Sequence, residues 1–180
     1  MTPEELAEEE KELAEDKRVY PPFLVEEFRK GRENQRIEKR TGKSVPYSLK
    51  KITDFTQVIR TTWVISNKAY QEENWGKHGQ WGDNYGEITL TFEEDAEAVL
   101  EANEAGRVSM TPKQREMLQR LYDIVEEYDD DPDNPLSNYG ENDEAIINDP
   151  RWQEIGKYAR LVYEELSGDD LDAWEKAHQK

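Results

Sequence analysis

Apolar positions along this chain follow two rhythms. Between residues 112 and 128, Met117, Leu118, Leu121, Val125 and Tyr128 recur every three or four positions, which aligns them on one face of an α-helix. Trp152, Ile155, Ala159, Val162 and Leu166 repeat the pattern over 150–166, before Gly168. Residues 92–105 carry Ala96, Val99 and Leu100 and stop at Gly106, and a short last helix at 169–178 offers Leu171 and Trp174. The second rhythm is that of strands. "FTQVIRTTWVIS" (55–66) is β-branched and aromatic, and "EITLTF" (87–92) alternates Ile88, Leu90 and Phe92 with Thr89 and Thr91. These two segments predict an antiparallel pair with Ile88, Leu90 and Phe92 turned toward the helix at 112–128. The glycine-rich "NWGKHGQWGDNYG" (74–86) then becomes the long tip of a β-hairpin.

Helix starts are legible as capping boxes. Thr2-Pro3-Glu4-Glu5 and Thr111-Pro112-Lys113-Gln114 combine a capping hydroxyl, a proline in the first turn and a side chain that reaches back. Thr91-Phe92-Glu93-Glu94 reads as the same box without proline, and Asp149-Pro150 as the cap and proline without the box. The first helix, about 3–18, has only Leu6, Ala7, Leu13 and Ala14 as apolar surface. Pro21 and Pro22 break it, and a short helix with Phe23, Leu24 and Phe28 ends at Gly31. The polar "DDDPDNPLSNYGENDEAIIND" (129–149) reads as a loop. The predicted class is α+β, mostly helical with one small antiparallel β-hairpin. Residues 1–51 form a charged N-terminal helical arm with a basic segment. Residues 52–180 form an α+β domain of the hairpin plus three to four helices.

Charge sharpens this picture. The net charge is -18, with 37% charged residues. Residues 29–51 run the other way, with nine basic residues against two acidic ones. Residues 123–149 hold eleven acids and no Lys or Arg, and residues 4–16 hold eight acids and one Lys. Leu, Ile, Val and Phe together number only 34 of 180, a composition at the edge of disorder. Five Trp and nine Tyr oppose that, since each buries a large area. The balance implies a marginal fold completed by a partner.

Candidate chemistry is sparse. No nucleophile elbow, phosphate-binding glycine loop, dinucleotide fingerprint or zinc-protease motif occurs, so no catalytic residue and no cofactor is assigned. With no Cys, and only His78 and His178, a zinc site is not expected. Asp129, Asp130, Asp131 and Asp133 could offer oxygens to calcium, but Pro135 stands where an EF-hand needs a ligand. No metal site is assigned. Trp75, Trp81 and Tyr85 at the hairpin tip have two readings: rings folded back on the core, or a protein-contact surface, with a small-ligand site a lesser option. Arg36, Lys39 and Arg40 in the basic segment are expected to contact other protein subunits, including copies of this chain. Nucleic-acid phosphates are a less favoured ligand for residues 29–51. Glu126, Glu127, Asp129, Asp130, Asp131 and Asp133 are expected to form an acidic surface. The reading is a non-enzymatic structural or interaction protein ordered within a larger assembly, a small viral or phage component fitting its size. An acidic inhibitor that mimics nucleic acid is the alternative, and an enzyme of unrecognised type comes third. The N-terminus lacks the apolar run of a signal peptide, and no stretch is apolar enough to span a membrane. The expected location is the cytoplasm or a virus particle.

Overall fold

The computed structural model describes residues 2–44, 54–75, 83–135 and 143–179. Among them, every regular element is a helix: α1 (Pro3–Val19), α2 (Pro22–Thr41), α3 (Asp54–Ser66), α4 (Lys68–Asn74), α5 (Tyr85–Glu104), α6 (Pro112–Asp130), α7 (Asp143–Ile147), α8 (Pro150–Ser167) and α9 (Leu171–His178). The expected α+β class is therefore corrected. No strand is present among the described residues, and both segments read as strands are helical.

Each correction has a physical cause. In α3, Val58, Ile59, Thr61, Thr62, Trp63, Val64 and Ile65 are all buried. A helix enclosed on nearly every side shows no amphipathic period, so only its β-branched composition was legible. That composition disfavours helix by a few tenths of a kcal/mol per residue, roughly, which burial on this scale outweighs. The Thr61 hydroxyl donates to the Gln57 carbonyl at 3.0 Å, satisfying a polar atom that would otherwise be stranded.

In α5 the buried positions are Tyr85, Ile88, Thr89, Phe92, Ala96, Val99 and Leu100, in steps of three and four. Thr89, which a strand would turn to solvent, is buried and donates its hydroxyl to the Tyr85 carbonyl at 2.9 Å. Leu90, expected in the core, is 57% exposed. The helix begins at Asn84, whose side chain accepts from the Glu87 N–H at 2.9 Å. Thr91 lies inside α5 and caps nothing.

The chain divides into two compact units, one of Met1–Lys51 with Ser167–Lys180 and one of Ile52–Leu166. The last fourteen residues thus group with the N-terminal arm. In the first unit, α1 opens with the full Thr2–Glu5 capping box, and Pro21 and Pro22 separate it from α2. Pro21 offers α2 no side-chain cap, but the carboxylate of Asp169 accepts from the Phe23 N–H at 3.0 Å. Leu24, Val25 and Leu171 are buried in this unit. Helix α2 runs through Gly31, where the shorter helix was expected to stop, and ends at Gly42, whose φ of 64° suits a residue without Cβ.

In the second unit α3 packs on α5, and α5 packs antiparallel to α6. The Arg115 guanidinium, near the start of α6, donates to the Leu100 carbonyl at 3.0 Å, while Tyr85 at the other end of α5 reaches Asp129. The stripes expected on α6 and α8 are interior apart from Met117, which is only half-buried: Leu118, Leu121, Val125 and Tyr128 on one, Trp152, Ile155, Ala159, Val162 and Leu166 on the other. Gly156 lets α8 approach α3 closely, since a Cβ there would stand 3.2 Å from the Ile65 carbonyl oxygen. The polar stretch expected to be a loop contains α7, with Ile146 and Ile147 buried.

Candidate interaction surfaces

The first surface is the α1–α2 hairpin. Helix α1 buries none of its residues. Its half-exposed Glu9, Leu13, Asp16 and Tyr20 lie three or four apart and so share one face. Three of the four meet α2 directly. The Tyr20 and Phe28 rings stand edge to face at 5.0 Å, Arg32 pairs with Asp16 at 2.8 Å, and Arg36 pairs with Glu9. The seam is thus held more by charge than by apolar burial. Part of the basic segment is neutralised here by α1 and by neighbours on α2, since Arg29 and Lys30 also bond Glu26 and Glu27. Lys39 and Arg40 are exposed, with no ion-pair partner among the described residues. The complement of the basic segment, the acidic face of α1, was visible in the sequence as the glutamate-rich stretch at 4–16.

The aromatic residues of the expected hairpin tip are placed differently. Trp75 and Tyr85 are each 2% exposed, so a surface role for these two rings is corrected to a core role. They join Tyr128 and Trp152 in a cluster with ring centroids 5.1–6.2 Å apart. Polar atoms of the cluster are largely satisfied. Tyr85 donates to Asp129 at 3.0 Å, Tyr128 to Asp149 at 2.9 Å, and Trp152 Nε1 to the Gln71 side chain at 3.1 Å. Gln71 in turn donates to the Val64 and Ile65 carbonyls at 2.8 and 2.9 Å. Burial first, then the adjoining carboxylates, push both tyrosine hydroxyls up, so they stay protonated as donors. Trp75 Nε1 and Asp143 Oδ2 are buried without a partner among the described residues. Trp81 and His78 lie outside the described residues. His178 is exposed on α9 and stacks on Trp174 at 4.7 Å.

The second surface is acidic. Ile52–Leu166 contains 26 acidic and ten basic residues, a net of -16 out of the total -18. The six carboxylates singled out in the sequence have separate fates. Asp129 accepts from Tyr85, and Asp131 is paired with Arg151 at 2.7 Å. Arg151 also holds Asp149 at 3.1 Å and the Asp133 carbonyl at 3.2 Å, tying the end of α6 to the start of α8. Glu126, Glu127 and Asp130 are exposed. Glu93 on α5, which sequence reasoning missed, belongs with them: Asp129, Glu126 and Asp130 all act on it electrostatically. Its Oε1 is buried without a hydrogen-bond partner. The only available signal was the helical pairing of α5 with α6, which the strand reading hid.

These environments set a pH dependence. Burial, and then the neighbouring acids, raise the Glu93 carboxyl above its usual range; burial also raises Asp143, against one hydrogen bond from the Tyr85 N–H. Asp149 goes the other way: burial opposes its charge, but bonds from Arg151 and Tyr128 win and lower it. A raised folded value gives stability that is full below the unfolded value, roughly 4, and lost as pH rises through the folded one. A lowered value gives stability lost only as pH falls below about 4. The melting temperature at constant ionic strength should therefore rise as pH falls from neutral through the raised Glu93 and Asp143 values, and drop in stronger acid as Asp149 protonates. Glu93→Gln should raise the melting temperature at neutral pH and flatten that rise. A melting temperature that only falls as pH drops from neutral would refute the assignment.

Among the described residues, no group of three or more His, Cys, Asp or Glu side chains could hold a metal ion. No helix among them is long and apolar enough to cross a membrane. The fold and its surfaces define a strongly acidic chain, helical in every regular element among the described residues, with a charged helical hairpin. Comparison with protein families, with curated proteins and with solved structures finds no match.

Proposed function

We propose that this chain is a non-enzymatic interaction protein that works within a larger assembly, docking its acidic α5–α6 face on a basic partner. The observation that carries this reading is Glu93, a partly buried carboxylate whose electrostatic neighbours are Asp129, Glu126 and Asp130. The charge order of α6 supports it. Lys113 and Arg115 stand near its N-terminus, while its last turn contains acids and no base. That order opposes the helix dipole and costs about 0.3–1 kcal/mol per charge near an end. A basic partner would offset the costs at Glu93 and at the acidic end of α6, and would bind with strong salt dependence.

The test is affinity capture from cells of the source with the wild-type chain and with Glu93→Gln, Glu126→Gln, Glu127→Gln and Asp130→Asn combined. Basic proteins held by the wild type should elute at moderate salt and should be lost from the variant. If both chains hold the same proteins, the acidic face is only a solvated surface. Acids on two adjacent antiparallel helices also suit the mimicry of a nucleic acid. In that case duplex DNA added to the capture should compete the partner away, whereas an ordinary assembly partner stays bound.

A further inference from the structure

The α1–α2 hairpin holds a cleft of about 690 Å³ with walls of opposite sign. Glu8 and Glu12 line it from α1; Lys39 and Arg40 line it from α2, with Ile37 and one acid, Glu33, among them. None of Glu8, Glu12, Lys39 and Arg40 has an ion-pair partner among the described residues. Ile37 is 37% exposed, and Leu6, on the same helix as the acidic wall, is 44% exposed. A polyanion would meet the glutamates and a polycation the Lys–Arg pair. The occupant that fits presents both signs in a matching arrangement.

We propose that the occupant is the same hairpin of a second copy of this chain. A two-fold axis parallel to the helices places each acidic α1 wall over the partner's basic α2 wall and preserves height along the hairpin. The register inside one hairpin then applies between copies. Tyr20 meets Phe28 and Glu9 meets Arg36 within a hairpin, so Glu8 lies near the level of Lys39 and Arg40. A contact of this kind closes on itself as a dimer. Charge distribution favours it over a contact through the other unit. The hairpin's unit has a net charge of only -2, with 16 acidic and 14 basic residues, while two copies of Ile52–Leu166 repel at -16 each. Ile37, in the cleft itself, supplies the apolar contact that surface ion pairs, at about 0–1 kcal/mol each, do not. This deepens the assembly reading by giving the hairpin a separate partner, a second copy.

Sedimentation of the full chain at low ionic strength, over about 1–100 μM, should show a concentration-dependent dimer that weakens with salt. Glu8→Lys with Glu12→Lys, and separately Lys39→Glu with Arg40→Glu, should each be monomeric with unchanged helical circular dichroism. Mixing the two in equal amounts should restore a dimer, because the two-fold arrangement then sets opposite walls together. Ile37→Asp, at an exposed position, should weaken the dimer at least about tenfold without changing the helical signal. A wild type that stays monomeric, a charge variant or Ile37→Asp that dimerises like the wild type, or a mixture that stays monomeric would each overturn the proposal. These substitutions leave α5 and α6 untouched. Capture of basic partners by the monomeric variants would therefore separate failure here from failure of the acidic-face reading.

Discussion

Trp152→Ala is expected to cost about 4 kcal/mol of folding stability, within the range for deleting a fully buried tryptophan. Trp152 is 1% exposed on α8, against the rings of Trp75, Tyr85 and Tyr128. Removing the indole also leaves the Gln71 side-chain oxygen without its donor at a site that is 2% exposed. A domain of this size has about 5–15 kcal/mol in total, so the variant should unfold at much lower urea or not fold at all. Trp152→Phe separates the two contributions. It keeps most of the packing but still strands the Gln71 oxygen, a loss of roughly 1–3 kcal/mol. Urea denaturation followed by circular dichroism gives both values. A loss below about 1 kcal/mol for the alanine variant would mean that the four rings do not form one packed centre.

Much of the helical unit was legible from residue spacing alone. The α6 and α8 stripes, the Thr2 and Thr111 capping boxes and the stops at Gly106 and Gly168 follow from local chemistry, which the fold respects. What failed was the reading of α3 and of the first turns of α5. In α3 seven β-branched or aromatic residues are buried on several faces at once, so helical periodicity vanished and composition pointed to a strand. In α5 the threonines misled: a helix can bury a threonine by bonding its hydroxyl to its own backbone, as Thr89 does. Counting Thr89 as polar turned steps of three and four into an alternation of two. The tip aromatics followed from that error, because a chain with no hairpin gives Trp75 and Tyr85 no tip to occupy. The charge surfaces were legible in outline, but not their pairing. Only the packing of α1 on α2 shows that Asp16 and Glu9 take up Arg32 and Arg36.

Phe92→Ala and Leu90→Ala distinguish the two periodicities directly. In a strand these residues share a face, so both substitutions would be costly. In α5 they stand two residues apart, about 200° around the helix axis. Phe92 is fully buried and Leu90 is 57% exposed. Phe92→Ala should therefore cost about 3–5 kcal/mol through lost burial and the cavity left between helices. Leu90→Ala should change stability by less than about 0.5 kcal/mol, since the position is on the surface and alanine favours helix at least as well as leucine. Both values come from urea titrations of the full chain, with a constant denaturant slope as the check that the unfolding reaction is the same. Comparable losses at the two positions would restore the alternating pattern and remove the helical register on which the placement of Glu93 beside α6 depends.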